Sequence, residues 1–188
     1  MKKRSEVEIK DTWKLEDMVA SDSQWEQLFE EASSRVKQYA DYKGRLDESA
    51  DTLYACLKFD DEISRETELL YVYSRMRSDQ DTADQKYQDM FSRAQSLSYR
   101  ASEHSSYIVP EILAMPKETL DAYMKADNGI SHFKRALEMV LNKREHTLSG
   151  EMEELLAQSY DATQGASQIF TMFNNADVKF PVITGENG

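Results

Sequence analysis

Apolar residues recur at three- and four-residue intervals along most of this chain. Between Met1 and Val109 the only residue that would punctuate such runs is one glycine, Gly44, and there is no proline. This pattern predicts long amphipathic helices. The first is expected from Ser21 to about Lys43. Ser21-Asp22-Ser23-Gln24 has the form of a capping box, Gly44 can take the left-handed stop, and Trp25, Leu28, Phe29, Ala32, Val36 and Tyr39 make one buried stripe. Met1 to about Ala20 carries Trp13, Leu15 and Met18 without sustained periodicity and reads as an irregular arm packed on the domain. A second helical stretch runs from near Ser49 to about Arg77, through Leu53, Cys56, Leu57 and Ile63 and then a broad band of Leu69, Leu70, Val72, Tyr73 and Met76. A break is expected near Phe59 to Asp61.

Ser78 to Asp81 is a short polar connection. Thr82-Ala83-Asp84-Gln85 then repeats the capping-box pattern ahead of a third stripe of Tyr87, Met90, Phe91, Ala94, Leu97 and Ala101, which should end before Pro110. Short connections make the first and second helices, and the second and third, antiparallel neighbours. Beyond Pro110 the elements shorten. Pro110 to Ala114 and Pro116 to Ala126 each open on a proline, Asn128-Gly129 is a turn, and Ile130 to about Glu145 buries Phe133, Leu137, Val140 and Leu141. Gly150 to about Tyr160 is expected to bury Met152, Leu155 and Leu156, Gly165 to interrupt, and a last helix to run from Ala166 to about Asn174. Val178-Lys179-Phe180 has the look of a strand beginning. The predicted fold is all-α: an antiparallel bundle of long helices, then shorter ones, with the start of a strand at the C-terminal end. That strand has no partner in the chain, so Val178 to Gly188 reads as the opening of a further segment of a longer protein.

With 188 residues the chain can form a single helical domain with its own core. Its longest apolar run, Leu69 to Tyr73, is far below the ~20 residues of a membrane span, and Met1-Lys2-Lys3-Arg4 leads into Ser5, Glu6 and Glu8 instead of a signal-peptide core. The single cysteine cannot form an internal disulfide, so a cytoplasmic, reducing setting is expected. A net charge of −12 argues against nucleic acid and anionic lipid as partners.

Motifs that would carry chemistry are missing. His104, His132 and His146 are 28 and 14 residues apart, and Ala101, Gly129 and Lys143 stand where a Glu-x-x-His motif needs glutamate. His104 falls on the seam of the third helix and reads as a core or boundary histidine; His132 and His146 read as solvent-side. Asp79, Asp81 and Asp84 fail as a calcium loop, because Asp84 stands where glycine is needed and Met90 where glutamate is needed. They read instead as helix caps, Asp81 and Thr82 at the cap and Asp84 near the positive helix end. Asp60-Asp61 and Glu153-Glu154 read as solvated faces, and Cys56, among apolar neighbours, as an unreactive thiol. Tyr71, Tyr73, Tyr99, Tyr107 and Tyr123 read first as core residues, with the walls of a peptide groove as the alternative. No catalytic, cofactor-binding or metal residue is assigned in the chain.

An ordered set of segments carries more. Arg4-Ser5-Glu6-Val7 with Thr12-Trp13-Lys14-Leu15, Ser21 to Trp25, Tyr42-Lys43-Gly44, Asp79-Gln80-Asp81 and Pro110-Glu111-Ile112-Leu113 come first. His146-Thr147-Leu148-Ser149 with Glu153-Glu154-Leu155-Leu156, and Phe173-Asn174-Asn175-Ala176-Asp177 leading to Phe180, follow. Together they resemble the N-terminal part of oligoendopeptidase F, of the M3 (thimet-type) zinc metallopeptidases. The resemblance implies a hydrolase acting on oligopeptides. Its zinc would sit on a His-Glu-x-x-His helix and a downstream glutamate, none of which is in this chain. It implies for these helices a wall or lid of the substrate channel, inactive alone. A free-standing acidic helical adaptor is the alternative, and the oligomeric state stays open, with Phe170, Phe173 and Phe180 as residues through which copies could associate.

Overall fold

The computed structural model describes residues 7–126, 129–142 and 150–179. Seven α-helices are described: α1 (Asp22–Arg35), α2 (Ala50–Gln80), α3 (Gln85–Ser105), α4 (Ile108–Ala114), α5 (Lys117–Tyr123), α6 (Lys134–Asn142) and α7 (Gly150–Met172). There is no strand among the described residues. Val178 has extended backbone, and the rest of the predicted strand, from Phe180, lies outside them, as do His146 and Asn128.

α1 starts where its cap was legible. Ser21 accepts a hydrogen bond from the Gln24 amide at 3.2 Å, and the Gln24 side chain reaches back to the Ala20 amide at 2.8 Å. The helix tightens at Val36 into a 3₁₀ stretch, Val36–Asp41, and Gly44 (φ +77°) turns the chain, its amide held by Glu111 at 2.7 Å. Ser49 caps α2, which runs 31 residues, roughly 46 Å, without the expected break at Phe59 to Asp61. The reason is packing: Phe59 is buried against Tyr39 and Tyr42, so the helix face continues through the supposed interruption. α2 also absorbs most of the predicted connection, ending at Gln80 with Ser78 buried.

The third helix is capped differently from expectation. Asp84, and not Asp81 or Thr82, accepts the Lys86 amide at 2.9 Å, while Asp81 makes an Asx turn onto the Ala83 amide at 3.0 Å. α1, α2 and α3 form the core bundle, with α2 antiparallel to both neighbours. Trp25 near the start of α1 donates its indole N–H to the Leu70 carbonyl late in α2 at 3.0 Å, and Tyr107 after α3 meets Cys56 early in α2. Their shared core holds Trp25, Leu53, Ile63, Leu70, Tyr73, Met90 and Leu97, all essentially inaccessible. The N-terminal arm adds two 3₁₀ turns and pins itself through Leu15 and Val19, whereas Trp13 is 78% exposed.

At one end of the bundle Asp22 ties three helices together. It accepts from Tyr73 at 3.0 Å, from Tyr87 at 3.2 Å and from Lys86. Burial raises its pKa, but the hydrogen bonds from Lys86 and Tyr73 outweigh that and hold the carboxyl below its ordinary value. α4 to α6 close the other end through Ile112, Met115, Leu120, Ile130 and Leu137. Gly129 has φ +90°, a backbone conformation that favours glycine, and an added Cβ would sit 3.0 Å from the Tyr54 ring, which would have to shift.

α7 departs most from the sequence reading. It is a continuous helix of 23 residues through Gly165, ending in a π-helical turn, Phe173–Asp177. A lone glycine costs a helix only about 1 kcal/mol, which is too little to stop it. Nothing lies within 4 Å of a Cβ added at Gly165. Gly165→Ala is therefore expected to raise stability by about 0.5–1 kcal/mol, read as a higher urea midpoint. The predicted burial of Met152, Leu155 and Leu156 is also overturned, since each is more than half exposed.

Candidate functional site

The sequence-selected residues do not converge. His104 is exposed and not on the seam: α3 ends one residue later, and Tyr107 and Ile108 fill the core beyond Ala101. His132 is solvent-side as expected, its ring 5.7 Å from that of Phe133. Among the described residues no three of His, Cys, Asp and Glu are grouped so as to hold a metal ion. No helix there is long and apolar enough to cross a membrane.

Asp60 is not on a solvated face. It lies half-buried on α2 and accepts the Tyr39 hydroxyl at 2.7 Å. The Tyr107 hydroxyl donates to the Tyr39 carbonyl at 2.8 Å, and the Cys56 sulfur stands 3.7 Å from the same hydroxyl. Because Tyr107 gives its one proton to the carbonyl, the thiol is the donor in that last contact. Burial pushes the Cys56 thiol up to about 12, so it holds its proton at neutral pH and is no nucleophile. Burial likewise raises the Asp60 carboxyl above its ordinary 3.8, partly offset by the Tyr39 hydrogen bond. A raised folded-state pKa means that the folded form binds the proton more tightly than the unfolded chain. Stability is then greatest below pH 3.8 as far as this group is concerned and is lost as pH rises through the folded-state value. Asp60→Asn keeps an acceptor for Tyr39 and is expected to stabilise the chain at pH 7. The gain should shrink towards zero as pH falls below the carboxyl range, checked by denaturation midpoints across pH.

Two surface openings that could receive a ligand involve α7. Its inner side meets α3 in antiparallel fashion through polar and aromatic groups. Gln168 donates to Gln95 at 2.6 Å, Gln158 to Glu103 at 3.4 Å, and the rings of Tyr160 and Tyr99 are 5.4 Å apart. Two openings flank this seam. One of about 440 Å³ is lined by Phe29, Arg93, Tyr99, Arg100, Glu103 and Gln158 among others. Arg93 is already engaged there, paired to both oxygens of Glu26 at 2.9 and 2.7 Å with its guanidinium 4.4 Å from the centre of the Phe29 ring. The second, of about 380 Å³, lies between the C-terminal turns of α2, the first half of α3 and the last turns of α7.

Of the five tyrosines weighed from sequence, Tyr73 and Tyr107 are core residues and Tyr123 is half-buried, donating to the Asp47 carbonyl. Tyr71 and Tyr99 line the openings. The glutamines went unremarked in the sequence, although Gln88 and Gln95 at i, i+7 and Gln164 and Gln168 at i, i+4 were a readable signal. The outer side of α7 carries Met152, Leu155, Leu156, Ile169, Phe170 and, in the π turn, Phe173, all more than half exposed.

The family profile described as Oligopeptidase F (Peptidase_M3_N) matches residues 111–180. Oligopeptidase PepF of Bacillus subtilis is 37% identical over 185 residues, 98% of this chain and 28% of that protein. The chain is a relative of oligoendopeptidase F. The chromosomal oligoendopeptidase F of Lactococcus lactis subsp. cremoris is 34% identical, aligned over the whole chain and 32% of its own length. The crystal structure of oligoendopeptidase-F from Enterococcus faecium superposes with a TM-score of 0.81 at 35% identity, over 89% of this chain and 32% of that one. A putative peptidase from Chlamydophila abortus shares the fold, with a TM-score of 0.71 at 20% identity. The chain thus spans less than a third of the length of these oligoendopeptidase F relatives.

Proposed function

We propose that this chain is a single helical domain serving as the N-terminal part of an M3-type zinc endopeptidase, cytoplasmic and acting on oligopeptides. Its helices would form one wall or lid of the substrate channel. The observation that carries the reading is the alignment: 98% of the chain matches an oligopeptidase more than three times its length. The exposed apolar side of α7 agrees with it, since patches of this kind mark surfaces that pack against something else.

The described residues do not fit a zinc ion, and this reading gives the chain no catalytic, cofactor or metal residue and no chemical step. Its contribution is steric: a rigid helical wall admits a flexible peptide and refuses a folded protein. The test is a quenched fluorescent oligopeptide offered, with zinc present, to this chain and to a polypeptide that continues it through a His-Glu-x-x-His segment. Turnover is expected only from the longer protein, and only without a chelator. Zinc-dependent cleavage by the 188-residue chain alone, or none by the longer protein, overturns the reading.

A further inference from the structure

The opening between α2, α3 and α7 has a chemistry unlike the rest of the molecule. In a chain with 31% charged residues, its lining contains two charged side chains, Arg75 and Asp79, and these pair with each other at 3.1 Å. Four of the chain's ten glutamines line it, Gln88, Gln95, Gln164 and Gln168, with Asn175 beside them. Its apolar part is the Tyr71–Phe91 pair, centroids 5.2 Å apart and tilted by 59°, with the Arg75 guanidinium laid over Phe91 at 5.0 Å. The cleft is therefore neutral, rich in carboxamides and partly aromatic.

We infer that this cleft binds an extended peptide through its main chain, indifferent to side-chain identity; this deepens the peptidase reading and rests on it. A carboxamide offers two N–H donors and a carbonyl acceptor, the same groups that a peptide unit presents, so glutamine and asparagine can pair with successive backbone amides whatever residues carry them. The Gln168–Gln95 hydrogen bond uses one donor of the first and one acceptor site of the second, which leaves the Gln95 NH₂ and the Gln168 carbonyl in the lining. From Gln88 to Gln95 α3 advances about 10 Å, the length of roughly three extended residues. Neutrality has a selective consequence: with Arg75 and Asp79 cancelling, the lining itself adds no preference for acidic or basic side chains to the long-range field of the chain's net charge of −12. A sugar ring would want a flat open aromatic face, and here the guanidinium covers Phe91.

The experiment follows the side-chain NH₂ signals of isotope-labelled chain during titration with acetyl-trialanine-amide, its counterpart N-methylated at the peptide nitrogens, and maltotriose. Trialanine is expected to shift the Gln95 and Gln168 signals, the N-methylated peptide to bind at least roughly tenfold more weakly, and maltotriose to leave them in place. Gln164→Leu is expected to weaken trialanine binding by about threefold or more, and the unaltered chain with the N-methylated peptide decides the matter should that variant fold poorly. No shift at these glutamines, equal shifts from both peptides, or a comparable response to maltotriose overturns the inference. Because the probe is bound and not cleaved, hydrolysis by the longer protein alongside a silent titration would sink the cleft and leave the peptidase reading standing.

Discussion

Replacing Trp25 with alanine is expected to cost about 3–5 kcal/mol, the largest loss from any single substitution in the bundle. The indole is fully buried, stacks on Phe29 with centroids 5.1 Å apart, and donates to the Leu70 carbonyl. It also lies beneath the Arg93 guanidinium, 5.3 Å from the ring centre. Alanine would open a cavity where α1, α2 and α3 meet and remove the surface on which Arg93 rests. Trp25→Phe separates the contributions: it keeps most of the volume, loses the hydrogen bond, and should cost about 1–2 kcal/mol. Urea denaturation followed by circular dichroism reads both. A loss below about 1 kcal/mol for the alanine variant would mean that the three helices do not share this side chain.

Self-association of the isolated chain is the second large effect expected. Leu155, Ile169 and Phe170 are 66, 72 and 67% exposed, and with Met152, Leu156 and Phe173 they form two apolar groups, one near each end of α7. Exposed apolar side chains gathered in groups mark surfaces that pack against something else. Light scattering across a range of concentrations should show mass rising with concentration. The double variant Leu155→Glu, Phe170→Glu should weaken association roughly tenfold or more, because each new carboxylate would have to be desolvated in the contact. Neither residue supports the core, so circular dichroism should be unchanged. A monomer at all concentrations would overturn the expectation that this surface drives association.

These two surfaces also mark where the sequence was informative and where it was not. The α1 stripe from Trp25 to Tyr39 was legible because every member faces a partner within the same chain, so periodicity and burial coincide. The same spacing in Met152, Leu155 and Leu156 misled, since an apolar stripe declares that a helix wants a partner but not that the partner lies in these 188 residues. The capping reading at Ser21 held and the one at Thr82 did not. Asp84 offers a second acceptor two residues on, and local sequence does not choose between adjacent caps. Asp60 differs from its sequence reading because adjacent carboxylates diverge by about 100° on a helix, so Asp60 can meet Tyr39 from another element while Asp61 pairs with Arg65 on its own helix. The carboxamide cleft needs three elements brought together, and only its i, i+4 and i, i+7 spacing was visible beforehand.

α7 wears its faces in reverse, glutamines towards the bundle and leucine and phenylalanine away from it. Among the described residues α7 contributes none of the buried hydrophobic residues of the core, so it is expected to open more readily than α2. Its amide protons should accordingly exchange with solvent well before those of α2. Whatever covers its outer side would set how tightly the final helix is latched, and with it how wide the seam against α3 stands open.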